Sequence, residues 1–229
     1  MDMRTQAYRD RYRAENIPDG YSAIRHVAAL ALLVMGGIGV AVWRIDDVAA
    51  VEWLAVPLTF LYANLAEYLG HRYVMHRRVP GLGLIFERHA LQHHRFFTGR
   101  DMPLGSVRDL RAVLFPPTLL LFFFGAFALP AGLLLTWAFS ANVAWLFVAT
   151  ALAYYGSYEV LHTLYHLPDD SRVLRWPFVR SLQRLHREHH DPSCMQSHNF
   201  NITWPICDAL FGTLDRSARK PEQPVGERR

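Results

Sequence analysis

The sequence predicts an all-α integral membrane protein with four transmembrane helices and a histidine-rich site for two metal ions at one membrane face. Three observations predict this. Hydrophobic residues make up 52% of the chain and fall in long blocks separated by polar segments. All but one of the 24 Lys and Arg residues lie on one side of those blocks. Ten of the 12 histidines form clusters where two of the blocks end, or just beyond.

Residues 1–26 are predicted to be a polar surface segment. They carry acidic residues as well as arginines, whereas a signal peptide begins with a short, purely basic stretch. We expect a short polar helix that lies on the membrane surface and ends at residues 17–20, which read IPDG.

Two apolar blocks follow this segment. Residues 27–43 are uncharged and lie near the lower length limit for a helix that spans a bilayer. Trp43 and Arg44 mark the far interface of this first span. Residues 48 to about 69 form the second predicted span, with Glu67 close to its end.

The third and fourth spans follow a polar middle loop. Residues 112–139 contain Pro116, Pro117 and Pro130, so this block is expected to enter obliquely and kink. Residues 142 to about 162 form the fourth span. Residues 27–215 are therefore predicted to form one membrane-embedded domain, and 216–229, rich in proline and charge, a disordered tail.

The positions of the basic residues predict the orientation. Five Lys and Arg residues precede the first span, eight lie between the second and third, and ten follow the fourth. Only Arg44 lies on the other side. The positive-inside rule then places both termini, the middle loop and every histidine in the cytoplasm. Apolar core helices of a soluble protein are the alternative, and the charge asymmetry disfavours it.

Charge and cysteine content exclude other classes. The net charge is +4, but the basic residues do not form runs interleaved with aromatic residues, so no nucleic-acid partner is predicted. Cys194 and Cys207 are isolated from each other and form no C-x2-C pair. A disulfide framework or thiolate zinc site is not expected, and both thiols are predicted to be reduced.

The histidine clusters have the spacing of metal ligands. They read H-x4-H, H-x3-HH, H-x3-H and H-x2-HH, and residues three or four apart share one face of a helix. Ten imidazoles exceed what one ion can bind, so the count predicts two ions with four or five ligands each. The predicted ligands are His71, His76, His89, His93, His94, His162, His166, His186, His189 and His190.

The spacing also makes local predictions. Neighbouring helical residues diverge by about 100°, so His93 and His94 are expected to face different ions. His189 and His190 should do the same. Five residues overshoot one helical turn, so the H-x4-H pair predicts a frayed or bulged helix near His76.

Three further residues are candidate partners of the ligands. Glu67 and Glu159 could accept the second N–H of a metal-bound imidazole, or be interfacial charges that reach for water. His198 could be a ligand, a partner of a ligand, or neither. His26 is isolated from the clusters and is interpreted as an ordinary surface histidine. No catalytic residue beyond the metal ligands is predicted.

These motifs resemble the fatty acid hydroxylase/sterol desaturase superfamily of membrane-bound, histidine-rich di-iron enzymes. The resemblance covers roughly residues 60–215 and rests on HRYVMH at 71–76, HALQHH at 89–94, HTLYH at 162–166, HREHH at 186–190 and the closing HNFNITWPICDALFGTL at 198–214. Two stretches look most similar to the fatty acid 2-hydroxylase branch: RAVLFPPTL at 111–119 and YEVLHTLYH at 158–166.

The resemblance implies a cap of cytosolic helices around two iron ions, with zinc as a possible replacement in purified protein. It implies O2-dependent oxidation, foremost hydroxylation, of an unactivated C–H bond in a lipid or fatty-acyl substrate. Desaturation on the same scaffold is the alternative. Because the sequence contains no fused cytochrome b5-like domain, a separate cytochrome b5-like or ferredoxin-like electron donor is expected.

Two other classes remain as rivals. A membrane zinc hydrolase would carry H-E-x-x-H, but HREH at 186–189 has arginine in place of the glutamate. A metal transporter would place its ligands near the bilayer midplane on broken helices, whereas these histidines gather at one face.

Overall fold

The computed structural model describes residues 2–215, and within this range it is all-helical with no β-strand. The α-helices are α1 (Met3–Asn16), α2 (Ala23–Arg44), α3 (Ala55–Leu69), α4 (Gly83–Phe86), α5 (His94–Phe96), α6 (Leu110–Val113), α7 (Pro117–Phe123), α8 (Leu129–Ala138), α9 (Ala141–Tyr165), α10 (Pro177–His189) and α11 (Ile206–Leu210). Shorter 3-10 turns cover Ala50–Leu54, Val107–Asp109 and Arg172–Arg175, and π-helical turns cover Gly70–Met75, Glu87–His93 and Phe124–Ala128. The predicted all-α class is confirmed, and the predicted tail at 216–229 lies outside the described residues.

Two helical stretches are long and apolar enough to cross a membrane: α2 and Val107–Ala138. They match the predicted first and third spans. Most of their apolar side chains are not covered by the protein, and Leu32 on α2 and Trp137 on α8 are 74% and 84% exposed. Such an uncovered apolar surface suits contact with lipid.

The predicted second and fourth spans coincide with α3 and α9, which carry more polar residues. The central helix α9 packs against α2, α3, α8 and α10. Its close contact with α2 depends on Gly156, where an added Cβ would lie 3.1 Å from a methyl carbon of Val34. That α3 and α9 cross a membrane remains a prediction.

The predicted distortion of the third apolar block is present. The helix breaks at residues 114–116, between α6 and α7, and α7 begins at Pro117, a position where the missing N–H breaks no helical hydrogen bond. The π-helical turn Phe124–Ala128 then leads into α8, which has Pro130 in its first turn. A wider turn next to a proline relieves the clash of its ring with the preceding turn.

The polar N-terminal helix is present as α1, capped by the Asp2 side chain and ended before Pro18. One face of α1 packs on the segment after the second histidine cluster, where the Tyr12 and Phe96 rings meet edge to face at 5.2 Å. Protein therefore covers this face of the helix, and its placement on a membrane surface remains a prediction.

Candidate metal centre

All ten predicted ligands gather in the protein interior. None of their side chains is more than 6% exposed, although they come from segments far apart in the sequence. Their ring nitrogens form two groups, and within each group the candidate ligand atoms lie within 4.8 Å of one another. Group A consists of His71, His76, His89, His94 and His189. Group B consists of His93, His162, His166, His186 and His190.

Four members of group A come from π-helical turns. His71 lies in the turn Gly70–Met75, and His76, five residues on, directly follows it. His89 lies in the turn Glu87–His93, and His94, again five residues on, directly follows it. The i to i+5 bonding of a π-helix brings residues five apart onto one face. The bulge predicted near His76 is confirmed, and a second bulge occurs at the next cluster.

Four members of group B come from the ends of regular α-helices. His162 and His166 lie at the C-terminal end of α9, and His186 and His190 at the C-terminal end of α10. Each pair is four residues apart and so occupies one face of its helix.

The two doublets cross over between the groups. His94 joins group A while its neighbour His93 joins group B, and His189 and His190 divide between A and B in the same way. The predicted divergence of adjacent histidines is therefore present. Each half of the chain supplies four imidazoles to one group and one to the other.

The ring nitrogens meet as ligands of a shared ion would. Neighbouring Nε2 atoms within each group are 2.9–3.2 Å apart. Two imidazoles bound at right angles, with metal–nitrogen bonds of about 2.1 Å, would have their nitrogens about 3.0 Å apart. The spacing of the donor atoms therefore fits a metal ion in each group.

Hydrogen bonds at the opposite ring nitrogens support this fit. His93 Nδ1 donates to the carbonyl oxygen of Ala112 at 2.9 Å, and His190 Nδ1 to that of Phe97 at 2.6 Å. A neutral imidazole that donates from Nδ1 carries a bare lone pair on Nε2. The Nε2 atoms of these two residues lie 3.1 Å apart, so their lone pairs repel unless a cation lies between them.

Three more ligands are oriented by backbone carbonyls. His166 Nδ1 donates to Met102 at 3.0 Å and His189 Nδ1 to His198 at 2.9 Å. His71 Nδ1 donates to Phe200. Such bonds fix the tautomer and the ring orientation of a metal ligand.

Burial keeps the imidazoles in the form that binds metal. It lowers the pKa of His93 and of His189 to about 4, well below the ordinary histidine value. At neutral pH both rings are therefore uncharged, as metal coordination requires.

The two predicted carboxylate partners have hydrogen bonds to other groups. Glu67 accepts bonds from the backbone N–H groups of Ile202 and Thr203, at 2.5 and 3.1 Å, and from the Tyr154 hydroxyl at 2.5 Å. Glu67 thereby holds the closing segment, residues 198–203, against α3. It reaches His71 only indirectly, through the carbonyl of Phe200.

Glu159 lies beside the start of the third apolar block. It accepts hydrogen bonds from the Tyr155 hydroxyl at 2.6 Å and from Phe115 N–H at 3.3 Å. The predicted bond from a ligand imidazole to a carboxylate is thus replaced, for five of the ligands, by bonds to backbone carbonyls.

The two remaining histidines lie outside both groups. The His198 ring contacts Ser197 Oγ at 2.8 Å, while its carbonyl orients His189, so its contribution comes through the backbone. His26 is buried rather than exposed, and its ring contacts the Tyr21 hydroxyl and the Phe115 carbonyl, both at 3.0 Å. The prediction that His26 lies at the surface is therefore wrong. Both cysteines are free, as predicted.

A small cavity adjoins both groups. Its volume is about 10 Å³, close to that needed for one water molecule. Its walls include His89 of group A, His93 and His162 of group B, and Arg88. Residues 112–115, which lead into α7, form the rest of the lining.

The fold and the site together define an all-helical protein with two adjoining histidine groups that could each hold a metal ion. The chain belongs to the fatty acid hydroxylase family, whose sequence profile matches residues 56–213. The superfamily predicted from the histidine spacing is confirmed. Membership indicates a membrane-bound oxidoreductase that uses a metal and O2.

A solved structure has a similar fold. It is described as full-length Scs7p with only the hydroxylase domain visible, and it is 24% identical to this chain with a TM-score of 0.57. The similarity covers 86% of this chain and 67% of the other. No curated protein matches this sequence.

Proposed function

We propose that this protein is a di-iron hydroxylase that inserts one oxygen atom from O2 into an unactivated C–H bond of a fatty-acyl lipid. The observation that carries the proposal is the pair of adjoining five-imidazole groups, in a chain of the fatty acid hydroxylase family. One iron ion would be held by group A and one by group B. When bound, the two ions supply the activation of O2 that attack on such a C–H bond requires.

The chain's own residues orient the ligands and exclude water. Backbone carbonyls from residues 97–102, 112 and 198–200 fix the rings of five ligands. Burial of all ten imidazoles keeps bulk water from the reacting atoms, which limits side reactions. No proton-transferring side chain beyond the ligands is needed for this assignment.

The cavity suggests how the substrate approaches. Its apolar wall, residues 112–115, continues into the exposed apolar helix α7, so this is the side from which an acyl chain in the bilayer would approach the histidines. Because the cavity holds about one water molecule, its walls would have to move apart to admit the chain. Arg88 also adjoins the cavity, and its Nη2 donates to the Arg111 carbonyl at 3.1 Å. Hydroxylation at carbon two is proposed from the likeness of residues 111–119 and 158–166 to the 2-hydroxylase branch.

The reaction needs an electron source. Inserting one atom of O2 and reducing the other to water consumes two electrons and two protons. We assign the electron supply to a separate cytochrome b5-like or ferredoxin-like protein that docks on the cytoplasmic face.

We also propose four transmembrane spans with a cytosolic cap, built by residues 27–215. At the end of the helices opposite the histidines, Asn142 Nδ2 donates to the Asp46 carbonyl at 2.7 Å, and Ser140 donates to Glu52. These contacts tie the turn before α9 to the end of α2, as expected when both connections lie on one side of a bilayer. A tag inserted at Asp46–Asp47 should be labelled only from the non-cytoplasmic side, and cytoplasmic labelling would contradict this topology.

The function is tested by mass spectrometry of lipids from cells with and without the chain. Hydroxylation predicts acyl chains heavier by one oxygen atom, located at carbon two by fragmentation. Acyl chains lighter by two hydrogen atoms would instead identify a desaturase. Unchanged lipids in cells that contain the iron-loaded protein would contradict both.

A further inference from the structure

Residues 97–104 form a loop that braces two ligands of group B. The carbonyls of Phe97 and Met102 accept from His190 Nδ1 and His166 Nδ1, as described above. The backbone also bonds in the reverse direction, because Leu104 N–H donates to the His166 carbonyl at 2.8 Å. The Phe97 ring lies 4.0 Å from the His166 ring, measured between ring centroids. The conformation of this loop therefore sets the orientation of two group B imidazoles.

A single side chain from α1 holds this loop at both ends. Arg9 is 1% exposed, and its Nε donates to the Phe96 carbonyl at 2.7 Å. Its Nη1 donates to the Pro103 carbonyl at 3.1 Å and its Nη2 to the Asp101 carbonyl at 2.5 Å. The guanidinium therefore satisfies carbonyls on both sides of the residues that contact the ligands.

The same guanidinium contacts aromatic rings of this region. Its central carbon lies 5.0 Å from the ring centroid of Phe96 and 5.3 Å from that of Phe97. Phe97 is the ring that packs on His166. A rigid, planar group that donates to three carbonyls loses little freedom when it binds, and lysine cannot reproduce this geometry.

We propose that Arg9 is a positioning residue for the metal ion of group B. It acts through the loop 97–104 rather than by contact with an imidazole. The inference rests on the two-metal site proposed above and assigns part of its support to a residue outside the stretch 56–213 that matches the family.

The effect should be confined to group B. In group A, His71 and His189 are oriented by the carbonyls of Phe200 and His198, which belong to the closing segment. None of the hydrogen bonds of Arg9 described here reaches that segment. Loss of its donors should therefore weaken one ion and spare the other.

The test is a zinc titration of the full-length, metal-stripped protein in detergent, in competition with a chromogenic chelator. Arg9→Met keeps an unbranched apolar stem but is shorter than arginine, and it removes all the donors. Tyr8→Phe is the matched control, since it removes another α1 bond, from the Tyr8 hydroxyl to the Leu91 carbonyl at 2.9 Å. Leu91 orients no ligand through that carbonyl.

Two backgrounds assign the effect to a group. His71→Ala with His76→Ala impairs group A and leaves group B to report, while His162→Ala with His166→Ala does the converse. We expect Arg9→Met to lower zinc affinity 10- to 100-fold in the first background, the usual range for partners of ligands. In the second background, where group A reports, Arg9→Met should leave the zinc affinity unchanged. The zinc affinity of Arg9→Lys should lie between those of Arg9→Met and the parent. This variant tests the proposal if the methionine variant does not fold.

Other outcomes separate the two claims. If the unaltered protein binds fewer than two zinc ions, the proposed two-metal site fails. If it binds two and Arg9→Met weakens neither, the role of Arg9 is refuted. Equal weakening in both backgrounds, or an equal effect of Tyr8→Phe, would show that α1 only stabilises the fold.

Discussion

Groups A and B hold the same number of imidazoles but build them from different helical geometry. Group A takes two pairs five residues apart from π-helical turns, and group B takes two pairs four apart from α-helix ends. Each then receives one member of a doublet from the other half of the chain. Widening a helical turn lets an H-x4-H spacing do what H-x3-H does in a regular helix.

The groups also differ in what supports their ligands. Group A relies on the closing segment 198–203, which Glu67 anchors to α3. Group B relies on the loop 97–104, which Arg9 anchors to α1. A buried carboxylate that accepts backbone N–H bonds thus has the same role on one side as a buried guanidinium that donates to carbonyls on the other.

The largest expected effect follows from removing a doublet ligand. His189→Ala takes one imidazole from group A, and His93→Ala takes one from group B. Either should abolish lipid oxidation, because the proposed reaction needs both ions, while the protein stays in the membrane fraction. Product formation by lipid mass spectrometry measures this. His198→Ala is the control and should stay active, since His198 acts through its carbonyl. Full activity in either doublet variant would contradict the two-metal assignment.

Glu67→Gln should weaken metal binding by group A and spare group B, the reverse of the effect expected for Arg9→Met. A glutamine would bring an amide NH2 towards donors that now bond to a carboxylate, so the closing segment should lose its fixed position. In the His162→Ala, His166→Ala background, where group A binds the metal, we expect zinc affinity to fall 10- to 100-fold. In the His71→Ala, His76→Ala background, where group B binds it, the affinity should stay unchanged. An equal loss in both backgrounds would mean that Glu67 supports the whole fold rather than group A.

In the metal-free protein, one histidine of each group should make the stability depend on pH in the same way. His93 and His189 each have a folded-state pKa of about 4, against about 6.5 in an unfolded chain. Protons then bind more tightly to the unfolded state, so stability is complete above pH 6.5 and falls as the pH drops towards 4. Each residue should contribute a loss of about 1.4 kcal/mol between pH 7.5 and 5.5.

Denaturation of the metal-free protein at these two pH values measures this loss. His93→Asn and His189→Asn should each flatten the dependence by a similar amount. An unchanged slope in either variant would show that the histidine titrates normally in the folded protein.

The smallest expected effect concerns the backbone of the closing segment. Asn199 lies between the two residues whose carbonyls orient group A, and its φ of 58° is in the left-handed region. Asn199→Gly and Asn199→Ala both lose the side-chain hydrogen bonds. Only the alanine side chain is destabilised by the left-handed backbone conformation, by about 1 kcal/mol. The alanine variant should have a lower melting temperature than the glycine variant, and its group A should bind zinc more weakly. Equal melting temperatures would contradict a backbone role.

The sequence predicted that the ten histidines form a shared candidate site, because their spacing along helices is a local property. The divergence of the doublets and the bulge near His76 followed from the same helical geometry. It could not predict that backbone carbonyls would orient the rings, since any residue type can present a carbonyl. The sequence spacing predicted that Glu67 would contact a ligand imidazole. In the fold, residues 201–203 occupy the hydrogen-bonding positions around its carboxylate instead.

Arg9 gave no signal in the sequence. It is one of several arginines in a polar segment, and its partners lie 87 to 94 residues away. Its burial depends on how α1 packs against a distant loop. Hydropathy predicted four spans, and two of them, α2 and Val107–Ala138, are helical stretches long and apolar enough to cross a membrane. The other two coincide with α3 and α9, which carry polar residues that their neighbours cover.

The central claim, two ions held separately by groups A and B, is tested most directly by counting metal. The full-length protein should retain two ions per chain at a chelator concentration that removes loosely bound metal. His71→Ala with His76→Ala should retain one ion, held by group B, and His162→Ala with His166→Ala should retain one, held by group A. A single ion in the unaltered protein, or two in both variants, would contradict the account.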